Sequence, residues 1–310
     1  MSNPLDASKA VLYGQVVQAV TAMYLADPTN LTPPPPPPTN SHPIPAGWKL
    51  SAWINMSDFD LQSKLKKDPE FYGIVVHQIA NPTHRIVAIR GTEGKTEWLD
   101  DATSVVQVPF TQVPNAGMVA LGFDLIYSTL QIVPGPLTTE GSAAAAAPKL
   151  TGSFAEQLDQ LATHEETHLG IAQESATGRL RLPRPTVVTG HSLGSALATL
   201  FVLENSVNNS FNIELLSTLA SPKVGNLKFK QTFDSLSISS WRIVNTRDLV
   251  PQLPASLLGI DFEAVNTEYS FDSGPLANLG CYHIIETYLH LLDSSLQITS
   301  DCIPPATSQG

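Results

Sequence analysis

Cysteine is scarce: Cys281 and Cys302 are the only two in 310 residues. Two cysteines make no disulfide framework, and neither stands at metal-site spacing from a histidine. No metal is expected. A bond fastening the tail and two free thiols are both compatible with their positions. Basic residues are also few. The chain has 17 Lys and Arg against 28 Asp and Glu, a net charge of −11. So acidic a chain excludes nucleic acid as a partner and disfavours anionic membrane surfaces. Long apolar runs are missing, so no transmembrane segment is expected. A basic n-region is missing as well. The opening MSNPLDASK carries Pro4 and Asp6, and Gln15 and Gln18 interrupt the apolar stretch that follows. That stretch reads as a mature helix, with no signal peptide and the cytoplasm as default compartment. The sequons at Asn30, Asn55 and Asn208 matter only in a secreted eukaryotic protein.

What is present is an apolar chain, 42% hydrophobic and only 15% charged, with 25 prolines. Leu12, Val16, Ala19, Val20 and Met23 recur at helical spacing, which predicts an amphipathic helix over 7–26. Asp27-Pro28 stops it. Residues 33–38 are six prolines, read as a stiff connector. Strands are predicted at 48–54, 71–78 and 85–90, with Asn81-Pro82-Thr83 as a hairpin turn. Phe123, Ile126, Tyr127 and Leu130 predict a helix. Residues 134–150 are a low-complexity insertion with no assigned function. Ser153 and Glu156 form a capping box before Phe154, Leu158 and Leu161. Strands follow at 213–220, 241–245 and 263–271, then a helix at 284–292 and a polar tail from 299. Alternating strands and helices with one unbroken core over about 45–295 make this a single α/β domain.

The chemistry gathers at residues 185–203, PTVVTGHSLGSALATLFVL. The run Thr186-Val187-Val188-Thr189 suits a strand buried on both faces. After Leu193 the residues favour helix. Between them lies Gly190-His191-Ser192-Leu193-Gly194, a G-x-S-x-G turn that would expose the Ser192 hydroxyl at a helix N-terminus. There the Leu193 N–H can meet a developing oxyanion. A serine nucleophile on such a turn takes its carboxylate and then its histidine from later in the chain. His283 and His290 are the histidines that follow Ser192 with a carboxylate between. His283, in the loop-like Gly280-Cys281-Tyr282 context, is the better base. His290, flanked by Leu289 and Leu291, reads as a packing residue. Asp248, directly after the strand ending in Asn245-Thr246, is the better carboxylate than Asp261 or Glu263.

These motifs occur in order with Arg90-Gly91-Thr92, Trp98, Ser221-Pro222-Lys223-Val224-Gly225-Asn226, Asn245-x-x-Asp248-x-Val250-Pro251-x-Leu253-Pro254 and Tyr288-Leu289-His290. Together they resemble the class 3 lipase family, the fungal-lipase-like α/β hydrolases, over roughly 8–295. The resemblance implies an α/β-hydrolase fold with a mostly parallel central sheet, helices on both faces and a short lid. It implies a carboxylic-ester hydrolase, foremost a triacylglycerol lipase, with the triad Ser192, Asp248 and His283 and no cofactor. It also implies an oxyanion hole from Thr92 and Leu193, and a lid at about 93–101. Trp98, Val250, Leu253, Leu257 and Leu258 are read as substrate-binding from their position. The partner expected is an ester or lipid substrate at a lipid–water interface. The family is frequently secreted, which opposes the cytoplasmic default.

Three features depart from the pattern. The lid segment, EGKTEWLDD, hides little apolar surface and points to weak interfacial activation. Ala120 stands where the family usually has a histidine, and Ser195 where it usually has a glycine. Alternatives are an esterase on short-chain or feruloyl-type esters, a phospholipase A1, and a catalytically silent lipase-like binding domain.

Overall fold

The computed structural model describes residues 4–39, 42–60, 65–92, 106–136, 147–171, 173–175, 178–180, 183–255 and 259–304. Helix α1 (Ala7–Ala26) opens the chain, capped by Asp6, whose side chain accepts from the Lys9 N–H at 3.1 Å. The proline connector is pinned to the sheet where Trp53 Nε1–H donates to the Pro33 carbonyl at 2.8 Å. Strands β1 (Trp48–Asp60), β2 (Leu65–Gln78) and β3 (Asn81–Ile89) then form an antiparallel meander. A small pair β4 (Gln107–Pro109) and β5 (Met118–Ala120) leads into α2 (Leu121–Tyr127) and β6 (Gln131–Pro134). Helix α3 (Phe154–His168) carries the expected capping box of Ser153 and Glu156. A hairpin of β7 (Gln173–Ser175) and β8 (Gly178–Leu180) precedes β9 (Pro185–His191) and α4 (Leu193–Asn208). Then come β10 (Asn212–Leu219), α5 (Leu227–Asp234), β11 (Ser240–Asn245), β12 (Thr267–Phe271) and α6 (Ile285–Leu292).

The main sheet has the order β12-β11-β10-β9-β3-β2-β1-β6. It is parallel from β12 to β3 and antiparallel beyond. The mostly parallel sheet expected from the sequence is therefore present. Its strands alternate between two cores, as a period of two demands. Ile86 and Ala88 of β3 face one core, Val87 and Ile89 the other. Val187 and Val188 of β9 divide in the same way. One core is closed by α1 and α6, through Val16, Val20, Tyr288 and Leu289. The other is closed by α2 to α5, through Phe123, Phe154, Phe201 and Phe229. Each such side chain, fully buried, contributes about 1.5–3 kcal/mol. One buried charge cluster supports the second layer. Arg85 bonds Glu165 at 3.1 Å, and Arg184 bonds Glu166 at 2.7 Å, all four within the interior.

Several boundaries differ from the sequence expectations. The β2–β3 turn is Ile79-Ala80, since Gln78 pairs with Asn81. Asn81 instead accepts locally from the Thr83 hydroxyl at 2.8 Å, and Pro82 fits the strand's start, where no ladder N–H is needed. Strands β1 and β2 extend beyond 54 and before 71. Helix α2 stops at Tyr127, short of Leu130. The last strand begins at Thr267, while Glu263 makes an isolated bridge to Gly225. Helix α5, β6 and the two small hairpins were not foreseen. The lid (93–101) and most of the insertion (137–146) lie outside the described residues.

The cysteines are joined, Cys281 to Cys302, with 21 residues of separation. The link is backed by the Ala277 N–H donating to the Cys302 carbonyl at 3.1 Å. Closing a loop of this size contributes about 3 kcal/mol. Denaturant unfolding with and without dithiothreitol should therefore differ by that amount. An unchanged midpoint would mean the thiols are free in solution.

Candidate active site

The carboxyl ends of β3, β9, β10 and β11 lie along one edge of the parallel half of the sheet, where α/β enzymes gather functional groups. Strand β9 ends at His191, and α4 starts at Leu193. Ser192 makes the turn between them with φ 55 and ψ −127, a left-handed conformation that costs a non-glycine residue about 1–3 kcal/mol. The flanking glycines allow it. A Cβ on Gly194 would lie 2.2 Å from the Ile89 carbonyl oxygen, and one on Gly190 would lie 2.5 Å from the Gly194 carbonyl carbon. Neither β3 nor α4 could then keep its place. The turn is tied down by the Ser192 N–H donating to the Leu219 carbonyl at 3.0 Å. Ser195 adds to this, its hydroxyl lying 2.7 Å from the Gly190 carbonyl and 2.9 Å from that of Leu219. Ser195 thus stitches the turn to β9 and β10.

Ser192 Oγ lies 2.8 Å from His283 Nε2, and His283 Nδ1 lies 2.7 Å from Asp248 Oδ2. An ionised Asp248 can only accept, so Nδ1 carries the hydrogen and Nε2 is left to accept from the Ser192 hydroxyl. Asp248 is 3% exposed and Ser192 1%. Asp248 and His283 come from separate loops, after β11 and before α6. Asn245 fastens both. Its carbonyl accepts the Asp248 N–H at 3.0 Å, and its Nδ2 donates to the Tyr282 carbonyl at 3.0 Å. The other Asp248 oxygen accepts the Val250 N–H at 3.0 Å.

Tyr288 enters the same centre from α6. Its hydroxyl donates to Asp248 Oδ2 at 2.7 Å and accepts the Asn245 N–H at 3.2 Å. Burial and the neighbouring Asp248 hold its phenol well above the usual tyrosine value, so it stays a donor. His191 completes the surroundings. Its Nε2–H donates to the His283 carbonyl at 2.7 Å. Burial, then the nearby His283, lowers its pKa to about 3, so it is neutral at ordinary pH. These two residues and Asn245 stand in motifs legible in the sequence, but no part in the site was read for them there. Tyr288 stands 40 residues from Asp248, and no local pattern joins them.

Opposite Ser192 lies the segment after β3. A Cβ on Gly91 would come 2.9 Å from the Ser192 Cβ, so the Gly91-Thr92 backbone abuts the serine. Thr92 Oγ1 is buried with no hydrogen-bond partner among the described residues. Leu193 is the first residue of α4, so its N–H has no partner within the helix. Both groups are hydrogen-bond donors left without a partner among the described residues by the fold itself.

The remaining expected residues divide. Val250 is buried next to Asp248, and Leu253 is half-buried, its carbonyl accepting the Lys223 N–H at 2.7 Å. Trp98, Leu257 and Leu258 lie outside the described residues. His290 bonds the Leu296 carbonyl at 2.7 Å through Nδ1, as a packing residue would. Ala120 is core, 3% exposed, with its N–H on the Val224 carbonyl at 3.0 Å. Among the described residues no group of His, Cys, Asp and Glu could hold a metal, and no helix is long and apolar enough to cross a membrane.

The sequence profile described as "Lipase (class 3)" matches residues 86–258, more than half of the chain. The chain belongs to the class 3 lipase family. The chain is 27% identical over 239 residues to phospholipase A1-Igamma3, chloroplastic, of Arabidopsis thaliana, covering 67% of this chain and 42% of that protein. It is 31% identical over 224 residues to phospholipase A1-II 3 of Oryza sativa subsp. japonica, covering 66% and 47%. The chain thus spans about half the length of the curated relatives it matches. Among solved structures, the Rhizomucor miehei lipase propeptide complex aligns with TM-score 0.53 at 18% identity, over 85% of this chain and 67% of that one. Lipase II from Rhizopus niveus aligns with TM-score 0.54 at 18% identity, over 86% and 81%. At such identity these likenesses show the fold, an α/β-hydrolase fold.

Proposed function

We propose that this protein hydrolyses carboxylic esters of lipids, with triacylglycerol as the leading substrate, through an acyl-enzyme on Ser192. The observation that carries the reading is the continuous hydrogen-bond chain from Ser192 through His283 to Asp248, at 2.8 and 2.7 Å. In this reading Ser192 Oγ attacks the ester carbonyl and passes its proton to His283 Nε2. Asp248 holds the ring in that tautomer and stabilises the imidazolium. The N–H groups of Thr92 and Leu193, with the Thr92 hydroxyl, receive the oxyanion. His283 then protonates the leaving alcohol, and water repeats the cycle on the acyl-enzyme. Val250 and Leu253, with Trp98, Leu257 and Leu258, are proposed to receive the acyl chain.

A second reading, phospholipase A1, is favoured by the names of the plant relatives. The same triad serves either ester. Hydrolysis of p-nitrophenyl esters from acetate to palmitate, beside triolein emulsions and phosphatidylcholine vesicles, separates them. The proposal expects the highest kcat/KM on long chains and release of fatty acid from triolein. Release confined to the sn-1 chain of phosphatidylcholine would replace it with phospholipase A1. Activity limited to short soluble esters would replace it with esterase.

A further inference from the structure

We propose that Arg90 is a positioning residue for the oxyanion hole: its buried guanidinium orients and polarises the Gly91–Thr92 peptide, whose N–H is the donor assigned to the oxyanion above. The inference rests on the hydrolase reading above. Arg90 Nη1 donates to the Gly91 carbonyl at 2.8 Å. That carbonyl and the Thr92 N–H belong to one peptide unit. A peptide is planar, so fixing its C=O fixes the direction of its N–H. A cationic donor at the oxygen end also draws density through the unit, and the N–H becomes a stronger donor. Arg90 is 0% exposed, so little water screens this effect.

The seat of Arg90 reads as built to hold this geometry. Nε donates to the Phe71 carbonyl at 3.0 Å. The Tyr24 ring lies 3.5 Å from the guanidinium carbon and the Tyr72 ring 4.1 Å, sandwiching the plane by cation–π contact. Glu70 accepts from Nη2 at 3.0 Å, and its other oxygen accepts the Tyr24 hydroxyl at 2.8 Å. The Glu70 side chain is 38% exposed, and an ion pair open to water on one side neutralises little. The firm contacts of the guanidinium are the two backbone carbonyls and the two rings. Tyr24 belongs to α1. Through Tyr24 the N-terminal helix therefore touches the seat of Arg90, from the opposite face of the sheet to α4.

The test compares Arg90→Lys, Tyr24→Leu and Glu70→Gln with wild type and with Ser192→Ala. Substrate is p-nitrophenyl butyrate, and the probe is phenylboronic acid, which forms a tetrahedral adduct on a serine nucleophile. Arg90→Lys keeps the charge and loses the planar fork. Its kcat should fall roughly tenfold or more, with KM little changed, and its boronate Ki should rise by the same factor. Tyr24→Leu, at a half-buried site, should move kcat and Ki together by a smaller factor. Glu70→Gln should stay within about twofold of wild type in both. Unchanged Ki in Arg90→Lys overturns the proposal. If that variant does not fold, unchanged kcat and Ki in Tyr24→Leu overturn it. A Glu70→Gln loss as large as that of Arg90→Lys also overturns it, because the ion pair would then be what matters. Hydrolysis surviving in Ser192→Ala would instead sink the hydrolase reading itself.

Discussion

Ser192→Ala should lower kcat by about a million-fold and abolish labelling by a fluorophosphonate. The hydroxyl lies 2.8 Å from His283 Nε2, within hydrogen-bond reach of the base. Without it, the donors proposed at Thr92 and Leu193 would still meet an ester carbonyl but no oxyanion would form. Binding should therefore survive, visible as an unchanged inhibition constant for a non-hydrolysable ether analogue. Ser192→Gly adds a stability readout. At φ 55 serine holds backbone strain that glycine does not feel. The glycine variant should be as inactive as the alanine variant, yet more resistant to urea, by about 1 kcal/mol. Retained hydrolysis in either variant would remove Ser192 from the mechanism. Equal urea midpoints for Gly and Ala would mean that the turn stores no strain.

Asp248→Asn should cost about 10⁴-fold in kcat with little change in KM. The carboxylate accepts three donors, the His283 Nδ1–H and the Tyr288 hydroxyl on Oδ2 and the Val250 N–H on Oδ1. An amide has one oxygen and one NH2 group. With its oxygen toward His283, the NH2 faces the Val250 N–H, donor against donor. With its oxygen toward Val250, the NH2 faces Nδ1 and forces the hydrogen onto Nε2. The imidazole then points a donor at Ser192 and cannot take its proton. In that second orientation the NH2 also meets the Tyr288 hydroxyl, which loses the oxygen it donates to. Pre-steady-state labelling by a fluorophosphonate should slow as kcat does, since both need the same base. A variant within tenfold of wild type would assign the carboxylate's role elsewhere.

The segment from β9 to α4 was legible in the sequence because its signals are local. A β-branched run, small residues about a serine and an apolar helix follow one another within 20 residues. His283 and Asp248 were legible because chain order left few candidates. The β2–β3 turn was misread because Asn81-Pro82 is strong turn chemistry, and here it serves the start of a strand. Helix α5 was missed because it is two turns long and buries only Phe229 and Phe233. The supports of the site were not legible for another reason. Tyr288 reaches Asp248 and His191 reaches the His283 carbonyl across long stretches of chain, which no spacing encodes. The same holds for Arg85 and Arg184, whose place in the interior depends on carboxylates of α3.

Helix α4 has no solvent side along most of its length, with every residue from Leu193 to Asn205 buried. A helix that touches protein all round has no face on which substitutions are free. Helices α3 and α5 can drift at every third or fourth position while their inner stripes hold. In α4 each position is confined by a neighbour, and a change of one methylene has to be answered by a second change across the contact. Variation here is bound to come in compensated pairs. The helix that follows Ser192 is thereby constrained by volume as much as by chemistry.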